Sequence, residues 1–197
     1  MSDATIALPP GGRTAPRSQF VATGLVIVAG MSLMAGLIGF YMSRRHAVAA
    51  PGQNWVPDDV VMPNAPLVMT VITALMASVI GHWCVWAAKR REQGHTLLAL
   101  GGTILLVVAF LNMVIFSMNE MDIAIGTSEW HNLVFTITGY VIALTIISIV
   151  YLMLMGLRSV GGDLGDEGAA LINGAVWFWD FVFIAWCAAW YAIYVVK

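Results

Sequence analysis

Five apolar runs, at residues 20–42, 67–88, 97–118, 133–157 and 174–196, are separated by short polar connectors. Each is close to the ~20 residues that carry a helix across a bilayer. The pattern predicts a five-helix, all-α integral membrane protein, with residues 19–197 as one membrane domain. Residues 1–18 are polar and rich in Gly, Pro, Ser and Thr, and read as a short disordered leader. The first run is too long for a signal-peptide core, and Arg44, Arg45 and His46 separate it from the small residues Ala47 to Ala50. It is therefore expected to be retained as a helix.

Basic residues in the connectors set the expected orientation. Arg13, Arg17, Lys89, Arg90, Arg91 and Arg158 fall on one side, and Arg44, Arg45 and Lys197 on the other. By the positive-inside rule the N-terminus is cytoplasmic and the C-terminus outside. The connector 43–66 holds Pro57, Pro63, Pro66 and Trp55 and is predicted to lie along the interface. The stretch 161–168 is rich in Gly and Asp, but its spacing does not fit a calcium loop. No inverted repeat or Gly/Pro-broken helix marks a transporter midplane site.

Composition sharpens this picture. The chain is 60% hydrophobic and 10% charged, with a mean hydropathy of +0.85, values that belong to a polytopic membrane protein. Nine Lys and Arg against eleven Asp and Glu leave no basic excess, and nucleic acid is excluded as a partner. Cys84 and Cys187 both fall inside predicted spans and read as small apolar fillers.

One charged side chain is set deep in a span. Asp180 lies in the last helix among Trp177, Trp179, Phe181 and Phe183. An ionisable group there calls for a partner from another helix. Counted at 1.5 Å per residue, Asp180 and His82 both lie about 10 Å from the cytoplasmic ends of their helices. These two are expected to form a polar pair inside the bundle, unless His82 instead satisfies a backbone carbonyl. His131 is at the opposite end of the membrane and cannot join them. His46 and His95 fall in connectors, so no two histidines match in depth as haem ligands. Met113, Met118 and Met121 lack the Cys or His neighbours of a copper site. No catalytic constellation is visible. Ser32, Ala35, Gly36 and Gly39 on the first helix have the small-xxx-small spacing that lets helices approach closely.

Several motifs together resemble subunit III of the haem–copper cytochrome c oxidases, in a five-helix form. The run Leu33-Met-Ala-Gly-Leu-Ile-Gly-Phe-Tyr41, with Gly36 at its centre, is similar to the family's Phe-Phe-Ala-Gly-Leu-Phe-x-x-Tyr. Trp55 and Pro57 resemble its Trp-Pro-Pro connector, and Trp130-His131-Asn-Leu133 its Phe-His-Gly-Leu-His. Trp179-Asp-Phe-Val-Phe-Ile-Ala-Trp186 is similar to Trp-His-Phe-Val-Asp-x-x-Trp. There are departures: the family's membrane glutamate falls on Gly30, its second motif histidine on Val134, its last-helix His on Asp180 and its Asp on Phe183.

The resemblance implies a non-catalytic accessory subunit that binds no metal. Haem and copper are expected in partner subunits. It further implies packing beside oxidase subunits I and II, bound structural phospholipid, a place in a bacterial plasma membrane, and a respiratory supercomplex as a further assembly. Loss of the glutamate leaves the structural role as the reading it best supports. A related accessory protein of nitric-oxide reductases, and a stand-alone transporter or channel built on His82 and Asp180, are the alternatives.

Overall fold

The computed structural model describes residues 16–48, 54–58, 60–123, 125–161 and 166–196. These form five long helices: α1 (Pro16–Val48), α2 (Asn64–Lys89), α3 (Gln93–Glu120), α4 (Glu129–Val160) and α5 (Asp166–Trp190), with a closing π-helical turn at Tyr191–Val195. All five are long and apolar enough to cross a membrane. In lipid a helix is the economical solution, because it satisfies every backbone group within its own segment. Buried hydroxyls follow the same rule: Thr103 donates to Ala99 O and Thr145 to Val141 O, one turn back.

The helices run past the apolar stretches at most of their ends. α1 continues through Arg44, Arg45 and His46 to Val48, and α5 begins at Asp166 rather than 174. Polar side chains at a helix end reach water while the backbone stays helical, so apolar run length underestimates helix length. Pro16 to Ser18, assigned to the leader by composition, are already helical. The rest of that leader lies outside the described residues, as does much of the 161–168 stretch.

Local signals set the connections. α2 and α3 form a hairpin turned by Arg91, whose φ of 58° reverses the chain. Ser128 caps α4 by accepting from the His131 N–H at 3.3 Å. Gly126, with φ of 92°, donates its N–H to Asn132 Oδ1 at 2.7 Å. That positive φ favours glycine.

α5 is the centre of the bundle, packing against α1, α2 and α4. α3 reaches it through Phe110, whose ring sits edge-on to Trp179 at 5.5 Å and to Trp186 at 5.7 Å. α2 and α3 approach through small residues, with Ala74, Ala77, Gly81 and Cys84 buried on α2 and Ala99 and Thr103 on α3. The register of α2 on α5 is antiparallel. A Cβ on Gly81 would meet Val176 at 3.3 Å, and further along Trp186 Nε1 donates to Thr70 Oγ1 at 2.8 Å.

α1 is peripheral. It leans on α5 and α4 through Thr23, Ile27, Gly30, Met34 and Tyr41, the less exposed side of an otherwise open helix. The small-residue seam expected at Ser32, Ala35, Gly36 and Gly39 meets no helix of this chain. A Cβ on Gly36 or Gly39 would touch nothing within 4 Å, and Ser32 bonds its own helix at Val28 O. Ser32 and Gly36 lie on the far side of α1 from its packed stripe, while Ala35 and Gly39 edge a groove shared with α5. Gly30 is the close approach instead: a Cβ there would sit 2.6 Å from Phe181 Cζ and 3.2 Å from the Tyr140 hydroxyl.

Candidate functional site

Ser78 and His82 are one turn apart on α2, and Asp180 stands opposite them on α5. His82 Nε2 lies 3.6 Å from Asp180 Oδ2, an ion-pair distance rather than a hydrogen bond. His82 Nδ1 is 3.2 Å from Ser78 O, one turn back in the same helix. The carbonyl can only accept, so Nδ1 carries a proton and Nε2 is left facing the carboxylate. The imidazole edge gives the Asp180 carboxylate a polar neighbour from another helix, which lowers the cost of an ionisable group within a span. The partner contact and the backbone contact, posed as alternatives from sequence, coexist through the two ring nitrogens.

The location differs from the sequence expectation in one way. The pair is not enclosed in the bundle, for the His82 side chain is 62% exposed and that of Asp180 26%. They line a cavity of about 510 Å³ between α2 and α5, together with Ser78, Val79, Phe183 and Ile184. Depth counting fixes height along a helix and leaves rotation about its axis free.

Ser78 completes the group. Its side chain is nine-tenths buried, and its hydroxyl has no hydrogen-bond partner among the described residues. It faces Asp180 without reaching bonding geometry. Sequence reasoning missed Ser78, although its place four residues before His82 was the signal.

A second groove of about 410 Å³ runs beside the first, between α1 and α5. It is lined by Met31, Met34, Ala35, Ile38, Gly39, Ile184, Ala185 and Ala188. Ile184 belongs to both, so the two form one trough between α1 and α2, floored by α5.

The other motif residues lie outside these two cavities. Trp179 and Trp186 are fully buried around Phe110, while Trp55 sits edge-on to Tyr41 at 5.7 Å. Pro57 O accepts from Val60 N in a turn of the connector. His131 is 3% exposed, with Nδ1 2.8 Å from Ser128 Oγ at the start of α4. Gly36 faces outward. At the Arg44 end, the Arg44 guanidinium pairs with both carboxylate oxygens of Glu129, tying α1 to α4. Among the described residues no three His, Cys, Asp or Glu side chains converge as metal ligands.

Comparison with known sequences bears on this arrangement. The chain is 25% identical over 191 residues to the cytochrome c oxidase subunit 3 of Petromyzon marinus, covering 93% of this chain and 72% of that one. It is 26% identical over 164 residues to that of Arabidopsis thaliana, covering 79% and 61%. For Oncorhynchus mykiss the identity is 26% over 191 residues, covering 93% and 72%. The sequence model of one family, cytochrome c oxidase subunit III, matches residues 17–197, which takes in all five helices and the trough between them. This multi-pass membrane protein belongs to the cytochrome c oxidase subunit III family.

Proposed function

We propose that the chain is a non-catalytic accessory subunit of a bacterial haem–copper terminal oxidase, resident in the plasma membrane with its N-terminus in the cytoplasm. The observation that carries this reading is the reach of the family match across the whole five-helix bundle, residues 17–197. Haem and copper belong to the partner subunits in this reading. The chain contributes a stable membrane surface beside subunits I and II and holds structural phospholipid against it. The surface suits that task, since α1 and the outer sides of α2 to α4 carry large apolar residues that need either lipid or a protein neighbour.

Gly30 supports the structural over the proton- or oxygen-handling role. The position that resembles the family's membrane glutamate is here a contact point, filled by the Phe181 ring and the Tyr140 hydroxyl, which donates to Gly30 O at 3.1 Å.

Purification from native membranes in mild detergent tests the reading. Haem absorbance, larger catalytic subunits and oxygen reduction co-migrating with the chain are the expected result. Co-migration with nitric-oxide reduction would move the chain to the related reductases. A colourless homo-oligomer that passes solute across vesicles would overturn the accessory role.

A further inference from the structure

The trough between α1 and α2 has two compartments of different chemistry. One end presents Ser78, His82 and Asp180, and the other is wholly apolar and bordered by the small residues Ala35 and Gly39. The polar end holds a buried hydroxyl without a hydrogen-bond partner among the described residues, beside the His82–Asp180 pair, whose imidazole edge is open to the outside. We propose that this trough binds a membrane-dissolved quinone or quinol, its ring at Ser78, His82 and Asp180 and its isoprenoid tail in the groove beside Ala35 and Gly39.

Depth selects against other lipids. His82, at the polar end, lies about 10 Å inside the Lys89 end of α2, whereas phospholipid phosphates stay at the interface because their charge is costly in hydrocarbon. A fatty-acid carboxylate would face the carboxylate of Asp180 and be disfavoured by like charge. A neutral ring bearing carbonyl or hydroxyl oxygens fits both demands. Its oxygens accept from the Ser78 hydroxyl or from a ring N–H of His82, and a quinol hydroxyl can also donate to Asp180. The Phe183 ring lines the same cavity and offers an apolar wall for a flat head group. Ile184, shared by both compartments, marks where head passes into tail. The small side chains at Ala35, Gly39, Ala185 and Ala188 leave width for a branched chain. The site belongs to this chain's own surface, whichever complex the chain joins.

Titration of a decyl-tailed benzoquinone into the full chain, purified in mild detergent with any subunits that accompany it, tests the proposal through quenching of tryptophan fluorescence. Saturable quenching is expected, weakened about tenfold by Ser78→Ala, the fold-change that loss of one hydrogen bond produces. Asp180→Asn should weaken it at least as much, and Ser78→Ala carries the test if that variant fails to fold. Ala35→Phe fills the tail groove and should weaken the decyl-tailed ligand while sparing a tailless benzoquinone. Non-saturable partition, or saturable binding indifferent to Ser78→Ala and Ala35→Phe, would overturn the proposal. So would displacement of the quinone by phospholipid at equal concentration.

Discussion

α1 and α5 reverse the usual relation between hydropathy and burial. The most apolar 18-residue stretch of α1 has a mean hydropathy of 2.2, yet only 6% of its residues are buried. In α5 the hydropathy is 1.5 and 61% are buried. In water the greasier helix would be the inner one. In a bilayer lipid tails are as apolar as leucine, so there is no gain in hiding leucine from them. Outer positions fill with Val, Leu and Met, and the inner helix carries what packs and hydrogen-bonds: Trp179 and Trp186 around Phe110, Ala175, Ala185 and Ala189 against neighbours, and a tryptophan N–H to Thr70. Hydropathy here reports spanning. Burial is reported by aromatic, small and polar content.

The comparison breaks hardest at Trp186. Trp186→Ala removes a fully buried ring that touches Phe110 and releases the hydrogen bond to Thr70. We expect a loss of about 3 kcal/mol, the lower end for core tryptophans, because the unfolded helices stay in lipid and the water-transfer share falls away. Unfolding in graded mixed micelles measures it. A tryptophan removed from α1's partner surface on α5, Trp177, which is half exposed and meets Phe20 edge-on, should cost much less in the same assay. Equal costs would mean that the buried face of α5 matters no more than the half-exposed face it turns toward α1.

Gly30 is the second test. Gly30→Leu places a side chain where Phe181 and Tyr140 already stand, and Phe181 is itself buried. Overpacking should cost about 1–3 kcal/mol and be confined to α1. Proteolysis should then release α1 while the α2 to α5 core stays folded. Simultaneous loss of all five helices would contradict α1's peripheral status.

Much of the fold was legible in the sequence, and the failures have one physical source. Five spans follow from run length, because the backbone must be helical wherever the side chains are in lipid. The height of Asp180 opposite α2 followed from counting residues. Rotation about each helix axis did not, since in lipid both faces of a helix are apolar and the inner one carries no hydrophobic signature. Spacing alone left open whether the seam at Ser32, Ala35, Gly36 and Gly39 meets a neighbour in this chain or in a partner; Ala35 and Gly39 edge a groove with α5, and Gly36 meets open space. A usable signal lay in the same helix. Thr23, Gly30, Met34 and Tyr41 recur at spacings of four and seven residues, the repeat of one helix face, and this stripe carries the helix's one aromatic pairing with the connector, Tyr41 on Trp55.

The open face at Gly36 yields a third test. Gly36→Leu meets open space, and replacing glycine in a helix interior removes a propensity cost of up to about 1 kcal/mol. A small gain in stability is expected, opposite in sign to Gly30→Leu on the same helix. Matched melting curves of the two variants measure it. A loss at Gly36 comparable to that at Gly30 would place a helix of this chain over the seam.

The smallest effect is expected at the far end of α1, where Arg44 and Glu129 meet. Both oxygens of Glu129 are engaged, yet each side chain is about two-fifths exposed, so water and salt compete for the pair. Glu129→Gln should loosen the end of α1 slightly at low ionic strength and not at all in molar salt. The carboxylate also sits in the first turn of α4, where it favours the helix N-terminus. Arg44→Gln separates the two contributions, since it removes the bridge and leaves that terminus unchanged. If the bridge holds α1, amide exchange at residues 40–48 should quicken equally in both variants at low salt, with α4 unaffected by Arg44→Gln. Faster exchange in α4 with Glu129→Gln alone would assign the carboxylate to its own helix, leaving α1 held by Gly30, Tyr140 and the buried Tyr41.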